Sequence, residues 1–153
     1  MIHIYTDGGC SGNPGPGGWA FVILLETYQG DKILAEKRGS EKDTTNNRME
    51  LSAVIASLET LKRMKDIPRK IKVFTDSQYV QKGMTEWMDE WKNRGWKNSD
   101  KKPVKNQDLW QRLDTLASAY SITWSWVKGH SGNKYNERCD MLTQKAIASI
   151  VPR

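Results

Sequence analysis

The chain opens on alternating apolar and polar positions, Ile2-His3-Ile4-Tyr5-Thr6, which predict a short strand over Met1–Thr6. Gly8–Gly18 is so rich in Gly, Pro and Asn that it reads as a turn region with no regular element. Trp19–Leu25 reads as a second strand and Lys32–Arg38 as a third, and the short Gln29-Gly30-Asp31 link predicts an antiparallel meander. The period then changes. Leu51, Val54, Ile55, Leu58 and Leu61 recur at helical spacing behind the N-cap candidates Thr44, Thr45, Asn46 and Asn47, so a helix is expected to about Met64. Pro68 breaks it, and Ile71–Thr75 is the fourth strand, reached by a right-handed parallel crossover. Ser77 is placed to cap a helix from Gln78 to about Lys92, and Gly95–Val104 reads as irregular. Asp108–Ala119 is expected to be helical with Leu109, Leu113 and Leu116 on one face, Ile122–Val127 to be a fifth strand, and Tyr135–Ile150 a last helix. These elements predict an α/β fold: a five-stranded mixed sheet flanked by helices, with its sites beyond the carboxyl ends of the strands.

Two of those strands end in the same dipeptide, Thr6-Asp7 and Thr75-Asp76. Glu50 lies one residue before Leu51, near the edge of the buried helical stripe, where it can point towards both aspartates. Asp140 follows in Asn136-Glu137-Arg138-Cys139-Asp140. Each acid alone has an ordinary explanation: Asp76 beside Ser77 can cap a helix, and Glu50 and Asp140 can face solvent. Acids gathered at strand ends repel one another, and divalent cations relieve that repulsion. Oxygen ligands with room for water and phosphate favour Mg²⁺.

Composition narrows the class of protein. At 153 residues the chain can bury a core without disulfides and is expected to form one domain over 1–153. No apolar run approaches the ~20 residues of a membrane span, and no signal-peptide layout is present, so a cytoplasmic protein is expected. Cys10 and Cys139 make neither a disulfide scaffold nor a zinc site and read as reduced thiols. Net charge is +6, and it is uneven. Lys92, Arg94, Lys97, Lys101, Lys102 and Lys105 face one acid, Asp100, in a single segment, which suggests a polyanionic partner. Trp87, Trp91, Trp96 and Trp110 around that segment are expected to form its small core, with at least one able to stack on a sugar or base. Trp124 and Trp126 share one face of the fifth strand and are expected in the main core, and His3 reads as a packed strand residue.

Five stretches, in order along nearly the whole chain, resemble type 1 ribonuclease H. They are Tyr5–Gly18, Thr44–Leu51, Thr75–Val80, Trp126–His130 and Asn136–Asp140, and the tract Trp87–Trp110 resembles the basic protrusion of the bacterial enzymes. The resemblance implies an endonuclease that cuts the RNA strand of RNA–DNA hybrids and leaves 5′-phosphate and 3′-hydroxyl ends. It implies Asp7, Glu50, Asp76 and Asp140 as metal ligands, and two Mg²⁺ ions about 4 Å apart on the scissile phosphate, with Mn²⁺ a possible substitute. His130, between Gly129 and Ser131-Gly132, would assist proton transfer or product release from a mobile loop. Asn13, Thr45, Asn46, Asn47 and Gln78 would read the hybrid groove and its 2′-hydroxyls. Arg48, Trp87, Lys97, Lys101 and Lys102 would hold its backbone. No membrane, obligatory protein partner or N-terminal hybrid-binding extension is expected. Two departures stand out: Gly9 replaces a common serine, and Met141-Leu142-Thr143 replaces a common acid followed by Leu-Ala. Met141 is expected to alter the surroundings of Asp140. A non-catalytic hybrid- or duplex-RNA-binding module, and a DNA-cutting relative with the same sheet, are the rival readings.

Overall fold

The computed structural model describes residues 1–129 and 131–151. Five strands, β1 (Ile2–Cys10), β2 (Gly15–Thr27), β3 (Gly30–Thr44), β4 (Lys70–Thr75) and β5 (Ser121–Trp126), form one sheet in the order β3-β2-β1-β4-β5. β1, β2 and β3 pair antiparallel as the expected meander, whereas β4 lies parallel to both β1 and β5. The helices are α1 (Asn46–Lys62), α2 (Gln78–Lys82), α3 (Met88–Asn93), α4 (Gln107–Ala117) and α5 (Lys134–Ala148).

Interior strand β2 shows why the sheet needs helices on both faces. Ala20, Phe21, Val22, Ile23 and Leu24 are all fully buried, so successive side chains find cover on opposite sides. Phe21 and Ile23, with Ile2, Ile4, Ile71 and Val73, pack against Leu51, Val54, Ile55 and Leu58 of α1 and Trp110 and Leu113 of α4. Val22, Leu24 and Tyr5 pack against Cys139, Tyr135 and Leu142 of α5. β3 runs along one edge with charged residues over most of its length, which discourages pairing with other chains.

Helix starts follow local chemistry. The Thr45 side chain accepts the Arg48 N–H at 3.2 Å to cap α1, and Ser77 accepts Val80 N–H at 3.1 Å to cap α2. Such caps contribute about 1 kcal/mol each. The expected helix from Gln78 to Lys92 is continuous but contains a π-helical turn over Gly83–Trp87. Gly95–Val104 is ordered by Asn98, whose side chain accepts from Asp100 N and Lys102 N, and by a bridge between Lys97 and Pro103.

The glycine-rich start of the chain corrects the expectation of a long turn. β1 continues through Gly8 and Gly9 to Cys10, and β2 begins at Gly15, so only residues 11–14 turn. Gly8 and Gly18 serve close packing rather than bending. A methyl group on Gly8 would overlap the backbone of Met49 and Glu50, and one on Gly18 would sit 2.9 Å from the Thr143 carbonyl oxygen. α1 and α5 therefore rest almost directly on the strands. Gly8→Ala should destabilise the protein by about 2–3 kcal/mol, because backbone on both sides cannot yield. A lower urea midpoint with an unchanged slope checks this; a wild-type midpoint would contradict it.

Candidate metal centre and nucleic-acid interface

Strand register makes Asp7 and Asp76 neighbours. Thr6 and Thr75 are partners across the parallel β1–β4 pair, so the aspartate after each reaches the same end of the sheet. Glu50 arrives from the start of α1, which the bare Gly8 allows to sit against β1. Asp7, Glu50 and Asp76 each offer a carboxylate oxygen, and those oxygens all lie within 4.8 Å of one another. Asp140 of α5 is half-buried and stands outside that set, yet its charge raises the proton affinity of both Asp7 and Asp76.

The electrostatics of this cluster are unfavourable as it stands. Asp7 is 6% exposed and Glu50 7%. Burial, then the charges of Asp76 and Asp140, push the Asp7 carboxyl up to about 7. Burial, then Asp7 and Asp76, hold the Glu50 carboxyl well above the usual range. Asp76 is also raised by burial, while hydrogen bonds from Glu50 and Asn136 pull it part of the way back. Glu50 Oε1 is buried with no hydrogen-bond partner. An orphaned carboxylate oxygen between two further carboxylates is costly, and a divalent cation with hard oxygen ligands satisfies it. The residues present therefore fit a metal ion.

Other residues support the acids and were not singled out from sequence. Asn136, 3% exposed in the first turn of α5, favours the ionised Asp76 carboxyl and so opposes the effect of its burial. Its signal was its position four residues before Asp140, on the same helical face. The Trp126 indole N–H donates to the Asp76 backbone carbonyl at 3.0 Å. Trp126 was expected in the core with Trp124, but it is 43% exposed. β5 is an edge strand, and its last residue overhangs the site instead of lying beneath a helix. A methyl group on Gly129 would lie 3.0 Å from Asp76 Oδ2, so the chain after β5 passes against that carboxylate. His130 itself lies outside the described residues. Of the two departures beside Asp140, Met141 is 38% exposed on α5 and Thr143 is 1% exposed.

The neutral groove residues gather around the acids. Asn46 Oδ1 accepts Cys10 N–H at 2.8 Å, and Asn13 Oδ1 accepts Asn46 N–H at 3.1 Å, which ties the 11–14 turn to the start of α1. Asn47 and Gln78 are exposed at the first turns of α1 and α2. Arg48 does not stand free: it makes paired hydrogen bonds of 3.0 and 2.8 Å to Asp108 and a third to Asn106.

In the basic segment, Lys92 pairs with Asp114 and Arg94 with Glu90. Among the described residues, Lys97, Lys101, Lys102 and Lys105 are exposed and make no ion pair. The tryptophans form the segment's core as expected. Trp91 lies 5.8 Å from Trp87, 6.3 Å from Trp96 and 5.2 Å from the fully buried Trp110.

A mixed sheet with two buried carboxylates and a half-buried third at the end of its paired parallel strands defines a protein of the ribonuclease H-like fold, built around a divalent-metal site. The sequence model of the RNase H family matches residues 1–148, and the chain belongs to that family. Ribonuclease H of Cupriavidus pinatubonensis is 54% identical over 149 residues, covering 97% of each chain. Ribonuclease H of Francisella tularensis subsp. novicida is 55% identical over 150 residues, covering 98% of this chain and 93% of its own. The crystal structure of LC9-RNase H1, a type 1 RNase H with the type 2 active-site motif, superposes with a TM-score of 0.86 at 31% identity, covering 98% of this chain and 73% of that one. LC11-RNase H1 in complex with RNA/DNA hybrid gives a TM-score of 0.76 at 26% identity, covering 97% and 98%.

The raised carboxyls fix the sign of a pH effect. Without metal, native Asp7 and Glu50 keep protons at pH values where the unfolded chain has lost them. Stability of the metal-free protein should therefore fall as pH rises from about 5 through about 7, by on the order of 5 °C in Tm. Asp7→Asn should flatten that fall, and Mg²⁺ at pH 8 should reverse it. Thermal melts in chelator across this range test it, and a Tm that rises with pH would contradict it.

Proposed function

We propose that this chain is an endonuclease that hydrolyses the RNA strand of RNA–DNA hybrids and leaves 5′-phosphate and 3′-hydroxyl ends. One observation carries the proposal: a family member of ribonuclease H gathers buried Asp7 and Glu50 and half-buried Asp76 within 4.8 Å, with an orphaned oxygen on Glu50. The hybrid bound by LC11-RNase H1 supports the choice of substrate.

Asp7, Glu50, Asp76 and Asp140 would hold Mg²⁺, two ions in the substrate complex, with Mn²⁺ as a substitute. A divalent cation bound there supplies charge neutralisation, an activated water and stabilisation of the leaving oxygen. The chain's own residues do the rest. Trp126 fixes the Asp76 backbone, and Asn136 favours the ionised form of its carboxyl. Asn13 and Asn46 spend their carbonyl oxygens internally, so the groups left for substrate are amide N–H donors. Those suit acceptor atoms in the hybrid groove, including 2′-oxygens. Asn47 and Gln78 add neutral hydrogen-bonding groups beside them, and the Thr45 hydroxyl sits at the same helix start. Arg48 keeps Nε available for a backbone phosphate while holding Asp108. His130 is assigned proton transfer or product release by its resemblance to the family's histidine loop.

The protrusion, residues 87–110 of a single catalytic domain, would grip the hybrid through Lys97, Lys101, Lys102 and Lys105, with the half-buried Trp87 against a sugar. All four carboxylates come from one chain, which supports a monomer. The two unpaired thiols fit the cytoplasm. No helix of the described residues is long and apolar enough to cross a membrane.

Labelled hybrid, duplex RNA, duplex DNA and single-stranded RNA, each with Mg²⁺, Mn²⁺ or chelator, test the activity. Only hybrid should be cut, and only with metal. Asp76→Asn should abolish cleavage while hybrid binding persists; metal-dependent cleavage by that variant would sink the proposal. Neutralising Lys97, Lys101, Lys102 and Lys105 together should raise KM about tenfold, flatten its salt dependence and spare kcat. An unchanged KM across salt concentrations would remove the protrusion from the binding surface.

A further inference from the structure

Asn106 opens α4 in a left-handed conformation, φ 60° and ψ 28°, and its side chain caps nothing. Asparagine tolerates that backbone, and at a helix start its usual task is to accept an N–H of the first turn. Here both ends of the amide are used elsewhere. Oδ1 accepts from the Arg48 guanidinium at 3.3 Å, and Nδ2 donates to the Tyr79 hydroxyl at 3.1 Å. The same hydroxyl accepts the Trp110 indole N–H at 2.9 Å.

These bonds form a relay from the core to the substrate side of the protein. Trp110 is fully buried, Tyr79 on α2 is half-buried with its ring centroid 5.2 Å from that of Trp110, and Arg48 near the start of α1 keeps 35% of its side chain exposed. The other hold on Arg48 is Asp108, whose side chain is 65% exposed. An ion pair that open to water holds a long side chain weakly. The relay through Asn106 is the hold that is anchored in the core. Two donors from α4 converge on the Tyr79 hydroxyl and fill both of its lone pairs. Without that oxygen a buried indole N–H loses its partner, and the Asn106 amide is free to turn away from Arg48.

We propose that Tyr79 is a positioning residue: through Asn106, its hydroxyl holds the Arg48 guanidinium in place for a phosphate of the hybrid backbone. The inference rests on the hybrid binding assigned above. It makes an uncharged hydroxyl control an electrostatic contact. Each phosphate contact adds about 0.9 to the slope of log affinity against log salt. A tyrosine that only filled space would leave that slope alone.

Fluorescence anisotropy of a labelled hybrid bound by the non-cleaving Asp76→Asn chain, at fixed Mg²⁺ and from about 50 to about 200 mM salt, tests it. Arg48→Ala in that chain should lower the slope by about 0.9. Tyr79→Phe should lower it by about half as much and weaken binding about threefold, although it removes no charge. Added to Arg48→Ala, Tyr79→Phe should change nothing further, because the two act through one contact. Asn106→Gly suits the left-handed backbone and cuts the relay without touching the Trp110 bond, so it should match Tyr79→Phe. It decides the matter if the unpartnered indole unfolds the phenylalanine variant. Arg48→Ala lowering the slope while Tyr79→Phe and Asn106→Gly keep the parent slope would overturn the role of Tyr79 alone, as would additive effects in the double variant. A parent slope in Arg48→Ala would take Arg48 off the backbone and the inference with it. An Asp76→Asn chain that binds no hybrid at all would sink the substrate assignment itself.

Discussion

Three carboxylates within 4.8 Å repel one another, and burial strips away the water that would screen them. Holding them together is the constraint on which the rest of the structure depends. Parallel pairing of β1 with β4 in exact Thr6–Thr75 alignment sets two of the acids side by side. A glycine at position 8 lets the third approach on α1. α5, seated on Gly18, supplies Asp140 and Asn136 from the other face. None of these placements relieves the repulsion. The core around β2, buried on both faces, stabilises the fold enough to tolerate it.

The acidic centre is matched by a basic arm, and a polar chain joins them. Arg48, two residues before Glu50, is clamped to Asp108 and Asn106. Asn106 and the Trp110 indole both donate to the Tyr79 hydroxyl, at 3.1 and 2.9 Å. The helix that carries Glu50 is thereby tied to the segment that carries the lysines. Internal ion pairs also refine the charge map. Lys92 and Arg94 are satisfied within the protein, so the unpaired charge concentrates in the loop from Lys97 to Lys105. Surface pairs of this kind add little stability, but they decide which cations face a partner.

Much of this was legible in the sequence, and the failures have physical causes. The helical period of α1, the paired Thr-Asp strand ends and the two capping residues Thr45 and Ser77 are local signals, and the structure keeps them. Gly8 and Gly18 misled because a glycine needed for close helix packing looks the same in sequence as one needed for a turn. Trp126 misled because a strand's alternation does not say whether a helix covers its last residue. Met141 and Thr143 both depart from the family pattern, and only packing says that Thr143 is the buried one. Asn136 stood in plain sight within the motif of Asp140, but its partner, Asp76, lies sixty residues earlier in the chain.

By itself the sequence determined the element types, the family and the identity of the acids, since those rest on period, capping chemistry and short motifs. Tertiary structure decided how close the acids come, which of them form the tight trio, and which lysines remain unpaired. Those outcomes depend on strand register and on how near two helices can approach the sheet, distances that no local pattern of residues encodes.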